Sequence, residues 1–246
     1  MGQLGGKVAI VAGSSRGIGK GIARYFAQQG AKVAVVARSE TESKLAGTIG
    51  QTVDAIHHEG GEAMAVRCDI SNETDTQAMA ETVLKQYGRI DALVNSAAVL
   101  FFDTVVDTPF KRWELLYRVN VHGAFLLTKA VLPHMIERRQ GSIIHLTSQA
   151  ASSLTTPGTT HYGATKAALE RFVAGLAAEV GEYDIAVNCL DPGSVKTEGA
   201  VFTRPPDFDW AGWVDPIDVG PVTLHMALQN AKSMTGQVIR ATAFKG

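Results

Sequence analysis

Gly13-Ser14-Ser15-Arg16-Gly17-Ile18-Gly19 follows the apolar, β-branched run of residues 7–12 and opens an amphipathic stretch at 17–29. Glycines spaced G-x-x-x-G-x-G at a strand-to-helix turn permit positive φ and let backbone approach a bound group with no Cβ in between. The free N–H groups and the positive end of the helix dipole then face whatever sits there, and an anion such as a phosphate suits both.

The rest of the chain repeats that strand-to-helix alternation. Runs at residues 32–37, 63–67, 90–95, 142–147 and 185–190 precede helical patterns at 41–58, 72–87, 109–138 and 161–180, then an irregular stretch, a helix near 216–229 and a last strand at 237–240. VAIVAG and VAVVA are apolar on both faces, as strands covered by helices on each side require, so a parallel sheet of seven strands is expected. An eight-stranded barrel needs one strand more, and the glycine turn favours a doubly wound α/β fold of the Rossmann type. Ser39 with Glu42 fits a capping box, and Thr108 with Pro109 fits an N-cap and first helical residue.

A length of 246 residues suits one domain, 1–246, better than two. With 46% hydrophobic and 19% charged residues the chain is globular, and a net charge of −1 excludes a global basic field for nucleic acid or an anionic membrane. Residues 1–10 lack the pattern of a signal peptide, so the cytoplasm is expected. Residues 141–165, free of Asp, Glu, Lys and Arg, hold ten Ser or Thr and are no membrane span. Cys68 and Cys189 form no CxxC and read as small buried residues, and no metal site is expected.

Two further features carry chemistry. At the end of the second strand, where a carboxylate would hold a ribose 2′-hydroxyl, the sequence has Ala37-Arg38. A guanidinium there suits the 2′-phosphate of NADP, with Arg16 as a second cation, so NADP(H) is favoured over NAD(H). In the helix at 161–180, Tyr162 and Lys166 continue the stripe of Leu169, Val173, Leu176 and Val180. They are i and i+4, and an ammonium beside a phenol is expected to lower its pKa from about 10 and make a usable acid and base.

Gly13-x3-Gly17-x-Gly19, Asn95, Asn120, Ser148 and Tyr162-Gly-Ala-Thr-Lys166, in this order over nearly the whole length, resemble the short-chain dehydrogenase/reductase family. The resemblance implies a sheet of order 3-2-1-4-5-6-7 and a tetrad of Asn120, Ser148, Tyr162 and Lys166. Tyr162 would pass a proton to or from the substrate oxygen, Ser148 would orient that oxygen, Lys166 would hold the nicotinamide ribose, and Asn120 would help keep a relay water. Gly13, Ser15, Arg16, Gly17, Ile18, Gly19, Arg38 and Asn95 are the implied cofactor contacts of the first half-sheet. Asp69 and Ile70 of CDI, Ala97, and Pro192, Gly193, Val195 and Thr197 of DPGSVKT complete them. In that strand order Cys68 and Cys189 lie about 24 Å apart and cannot pair.

The chain also departs from the family pattern. Ala12 replaces the usual Thr, Asn95-Ser96-Ala97-Ala98 replaces Asn-Asn-Ala-Gly, and ATAFKG replaces the frequent Asp-Gly-Gly ending. Ala98 would be strained if its position needs positive φ. On the substrate side, Val99-Leu100-Phe101-Phe102 and a lid at 194–215 carrying Phe202, Arg204, Phe208, Trp210 and Trp213 suggest an apolar enclosure for a ketone, cyclic alcohol or acyl chain. A carbonyl reductase is the leading expectation and a 3-oxoacyl thioester reductase the nearest specific one. An NAD-linked alcohol dehydrogenase and a non-catalytic nucleotide-binding scaffold are the alternatives. The resemblance further implies a homotetramer, or a homodimer, paired through the helices at 109–138 and 161–180.

Overall fold

The computed structural model describes residues 2–42, 45–153 and 156–244. Seven parallel strands, β1 (Val8–Ala12), β2 (Lys32–Ala37), β3 (Glu62–Arg67), β4 (Ala92–Asn95), β5 (Gly141–Leu146), β6 (Ile185–Asp191) and β7 (Val238–Arg240), form one sheet of order β3-β2-β1-β4-β5-β6-β7. Its order is the one expected. The helices are α1 (Gly17–Gln28), α2 (Ile49–His58), α3 (Glu73–Tyr87), α4 (Phe110–Tyr117), α5 (Gly123–Arg138), α6 (Thr160–Val180), α7 (Glu198–Thr203) and α8 (Gly220–Ala227).

Alternating side chains of the strands feed two cores. Val8, Ile10 and Ala12 of β1 join Met79 of α3, Leu127 and Val131 of α5 and Leu169 and Val173 of α6. Ala9 and Val11 join Ile22 and Phe26 of α1, Ile56 of α2 and Val222 of α8. Burial of β1 on both faces explains why its sequence, VAIVA, is apolar at every position rather than every second one. The order reverses at β1, with β2 on one side and β4 on the other. A crevice therefore opens beyond the carboxyl ends of these strands.

Some helix boundaries differ from the expected ones. The helix expected at 41–58, a range that includes two residues outside those described, begins only at Ile49. Gly47, at φ +108°, cannot belong to it. Its capping box is Thr48 with Gln51, whose side chains and backbone N–H groups pair at 3.1 Å in both directions, and not Ser39 with Glu42. The helix expected at 109–138 is broken by a π turn at Arg118–His122. Pro109 occupies its cap, while the Thr108 hydroxyl donates to Thr104 O at 2.6 Å. The irregular stretch contains the short α7, and the helix expected at 216–229 is a 3-10 turn, Pro216–Val219, followed by α8. Cys68 and Cys189 are free and fully buried, and burial pushes both thiols up to about 12. The last two residues of ATAFKG lie outside those described.

Candidate active site

The turn after β1 is pinned from both sides. Gly13 N–H donates to Val36 O at 2.8 Å and Ser96 N–H to Ala12 O at 2.9 Å, so backbone bonds tie the end of β1 to both neighbours where the family's usual Thr is Ala12. The Ser14 hydroxyl donates to Val11 O and accepts from Val36 N–H. Ala98 does not adopt positive φ, and the strain expected there does not arise.

A cavity of about 340 Å³ opens over this turn. Gly13, Ser15, Arg16, Gly17 and Ile18 form one wall, and Arg38, Asp69, Ile70, Ala97 and Thr197 the others. The Arg38 guanidinium lies 3.7 Å from Asp69. Asp69 works against burial, but hydrogen bonds from Ser71 and the charges of Arg38 and Arg118 hold its carboxyl below the usual range. Arg16 donates through Nη2 to Gly47 O at 2.9 Å and Ser39 Oγ at 3.3 Å, while its buried Nε has no hydrogen-bond partner among the described residues. This guanidinium N–H, in a cavity that Arg38 also lines, fits a phosphate, and the glycine-lined helix start fits a diphosphate.

The remaining predicted contacts do not line this cavity. Gly19 packs against the turn, where a Cβ would meet Gly13 O at 2.4 Å. Asn95 accepts from Ala97 N–H at 3.2 Å through Oδ1, so its amide N–H donates to His145 Nδ1. That tautomer leaves His145 Nε2–H to donate to Thr128 Oγ1, and complete burial pulls the imidazole down to about 3, keeping it neutral. Asp191 accepts from Gly193 N–H at 3.1 Å and so fixes the turn that contains Pro192. Val195 is buried and bridged to Val214.

Ser148, Tyr162 and Lys166 come together where β5 ends and α6 begins, and Asn120 bonds to Thr165 beside Lys166. Gly163 lets α6 approach the turn after Ser148, since a Cβ there would lie 2.5 Å from Ala150 O. The Ser148 hydroxyl accepts from Ala150 N–H and acts on the Tyr162 phenol. Lys166, only 3% exposed, donates to Leu146 O at 2.6 Å, with Nζ 5.6 Å from the centre of the Tyr162 ring. Asn120 is turned inward on the π turn; it accepts from Val99 N–H and donates to Val99 O and Thr165 Oγ1 at 2.9–3.1 Å. π turns of this kind recur at functional sites.

One electrostatic expectation is corrected here. Burial pushes the Tyr162 phenol up to about 12, the Ser148 hydroxyl opposes that rise and the Asp191 carboxylate adds to it. Lys166 does not lower it, because its own amine, held down to about 8, has lost its charge before the phenol titrates. Burial pulls Lys166 itself down to about 8, with Cys189 and Glu170 opposing.

The aromatic side chains expected to enclose substrate also behave differently. Phe208, Trp210 and Trp213 pack on one another with centroids 4.8–5.6 Å apart. Arg204 stacks over Phe208 and Trp213, and Lys196 over Trp210. Arg204 is therefore engaged by rings. Leu100, Phe102 and Phe202 remain exposed.

Two carboxylates escaped the sequence reading. Glu170 accepts from the Thr147 hydroxyl at 2.7 Å, which commits Thr147 away from Tyr162 and leaves Ser148 beside it. Glu198 accepts from Gly17 N–H at 2.8 Å. The signals were present: Glu170 stands four residues after Lys166, and Thr197-Glu198 is an N-cap followed by a first-turn acid.

Residues 7–206 match the short chain dehydrogenase family. A short chain dehydrogenase of Pseudocercospora fijiensis is 40% identical over 199 residues, covering 80% of this chain and 62% of that protein. A solved 7α-hydroxysteroid dehydrogenase, complexed with NADH and 7-oxo glycochenodeoxycholic acid, superposes with a TM-score of 0.85 at 30% identity over 96% of this chain and 93% of that one. Actinorhodin polyketide ketoreductase with NADPH superposes with a TM-score of 0.86 at 26% identity over 98% and 97%. With its sheet order and sequence in agreement, the chain belongs to the short-chain dehydrogenase family of oxidoreductases.

Proposed function

We propose that this protein is an NADP(H)-dependent oxidoreductase that interconverts an apolar ketone and its secondary alcohol, with Tyr162 as the acid and base. The observation that carries the reading is the buried Lys166 one turn from Tyr162, with the Ser148 hydroxyl acting on the same phenol. A charged amine has no packing reason to be 3% exposed there.

A bound nicotinamide supplies the hydride. The residues of the chain do the rest. Ser148 orients the carbonyl oxygen, and the Tyr162 phenol, which keeps its proton at neutral pH, donates it to that oxygen as the alcohol forms. In the reverse direction the phenolate is the base, and its fraction rises about tenfold per pH unit below the phenol pKa. Lys166 would hold the nicotinamide ribose, and Asn120 would keep a relay water.

Arg16, Arg38 and the helix start would hold a 2′-phosphate and a diphosphate, which favours NADP(H). Exposed Leu100, Phe102 and Phe202, on segments that flank the site, favour an apolar substrate. The solved neighbours whose names include a steroid and a polyketide point the same way. Exposed Phe110, Trp113 and Phe125 on α4 and α5 suit the helix pairing of a homotetramer. Among the described residues no helix is long and apolar enough to cross a membrane.

Cofactor oxidation followed with a panel of apolar ketones, with NADPH and NADH at equal concentrations, tests the reading. The expected kcat/KM is at least about tenfold higher with NADPH, a difference of roughly 1.4 kcal/mol. A higher value with NADH would point to the NAD-linked alternative.

A further inference from the structure

Helix α1 has no acidic residue in its first turn, and Arg16 at its cap gives no side-chain hydrogen bond to it. The negative charge at its positive end comes instead from 181 residues downstream, where Glu198 opens α7 and accepts from Gly17 N–H at 2.8 Å. The contact is close, since a Cβ on Gly17 would lie 3.3 Å from the Thr197 methyl and 3.7 Å from Glu198 Oε2. Glu198 also lines the 340 Å³ cavity together with Arg16, Gly17, Ile18 and Arg38. A dinucleotide diphosphate at the start of α1 and this carboxylate would be two anions claiming one amide.

The surrounding chain gives Glu198 room to leave without disturbing the sheet. Lys196 N–H donates to Val214 O at 2.9 Å and Val214 N–H to Ser194 O at 3.1 Å, closing the base of the 196–214 arm. α7 lies beyond that clamp, is six residues long, contains no buried residue, and exposes Val201 and Phe202. A shift of Glu198 off Gly17 would move α7 while the clamp holds.

We propose that Glu198 is a determinant of cofactor affinity: its carboxylate holds the Gly17 amide until a dinucleotide diphosphate displaces it, so cofactor entry also releases α7 from α1. The proposal rests on the nucleotide reading above and deepens it. A site blocked for about 80–90% of the time binds five- to tenfold more weakly than the open one. Glu198→Gln removes the charge at constant shape, and Glu198→Ala removes the acceptor.

The test is fluorescence or calorimetric titration of the wild-type protein and both variants with NADPH and with adenosine 2′-monophosphate, which has no diphosphate. Glu198→Ala should bind NADPH about five- to tenfold more tightly and Glu198→Gln, which keeps a neutral acceptor, more tightly by a smaller factor, with adenosine 2′-monophosphate changed less than twofold. In nucleotide-free protein, hydrogen exchange over Gly17–Gln28 should speed up at its first amides in Glu198→Ala. An unchanged or weaker NADPH Kd in both variants, with the wild type binding normally, would overturn the proposal and leave the cofactor reading standing. An equal gain for adenosine 2′-monophosphate would also overturn it, because the effect would then be general charge and not a contested amide. No binding of NADPH or NADH by any of the three proteins would overturn the cofactor reading, and the proposal with it.

Discussion

Tyr162→Phe is expected to lower kcat for ketone reduction by on the order of 10²–10⁴, the range set by loss of a positioned general acid. NADPH affinity should stay within about twofold. The substitution deletes one oxygen and keeps the ring over which Lys166 Nζ sits 5.6 Å from the centroid, so packing around α6 is retained. Helix α6 keeps its Tyr162 backbone bond from the Thr165 hydroxyl. Steady-state kinetics paired with NADPH titration separates the two effects. Turnover surviving within tenfold, with a confirmed substrate, would place the proton on another group. Unchanged binding with lost turnover also separates an enzyme from a nucleotide-binding scaffold, in which this phenol would have no task.

Gly13→Ala is expected to destabilise the protein by about 3 kcal/mol, combining roughly 1–2 kcal/mol for a left-handed backbone with roughly 1–3 for overpacking. Gly13 has φ +79°, and a Cβ would lie 2.5 Å from Ala97 N, 2.7 Å from Ala97 Cα and 2.9 Å from Ser96 C. All three atoms are backbone at the end of β4, whose Ser96 N–H is bonded to Ala12 O, so they have nowhere to retreat. For a chain of this size about 3 kcal/mol corresponds to a fall in Tm of roughly 6–12 °C. Gly60→Ala is the control: the same φ of +79° but nothing within 4 Å of its Cβ, so only the backbone cost of about 1 kcal/mol remains. Thermal unfolding of both variants checks the comparison. Equal losses would mean that the close approach of the β1 turn to β4 contributes nothing.

How much of this was legible in the sequence follows from which interactions are local. The central strands could be read because both of their faces are buried, and the parallel order followed from helices placed between them. The glycine turn, Arg16, Arg38 and Tyr162 with Lys166 were legible because their spacing is local to one element. The start of α2 was misplaced because Ser39 with Glu42 imitates a cap, while Gly47 excludes a helix across it only through its φ of +108°. The π turn at Asn120 leaves no mark in hydrophobic spacing, because it is set by Val99 and Thr165 from distant segments. The lowered phenol pKa was expected from i, i+4 spacing alone. Burial and the Asp191 carboxylate, both tertiary, reverse it. Glu198 on Gly17 lies further still from any local pattern.

The most direct test of hydride transfer is isotopic. The protein is supplied with NADPH deuterated on the transferred C4 position and a ketone that it reduces, and the alcohol is analysed by mass spectrometry. One deuterium on the carbinol carbon, with the hydroxyl proton coming from water through Tyr162, is the result predicted. An alcohol without deuterium at that carbon, from cofactor deuterated in turn on either face of C4, would contradict the account.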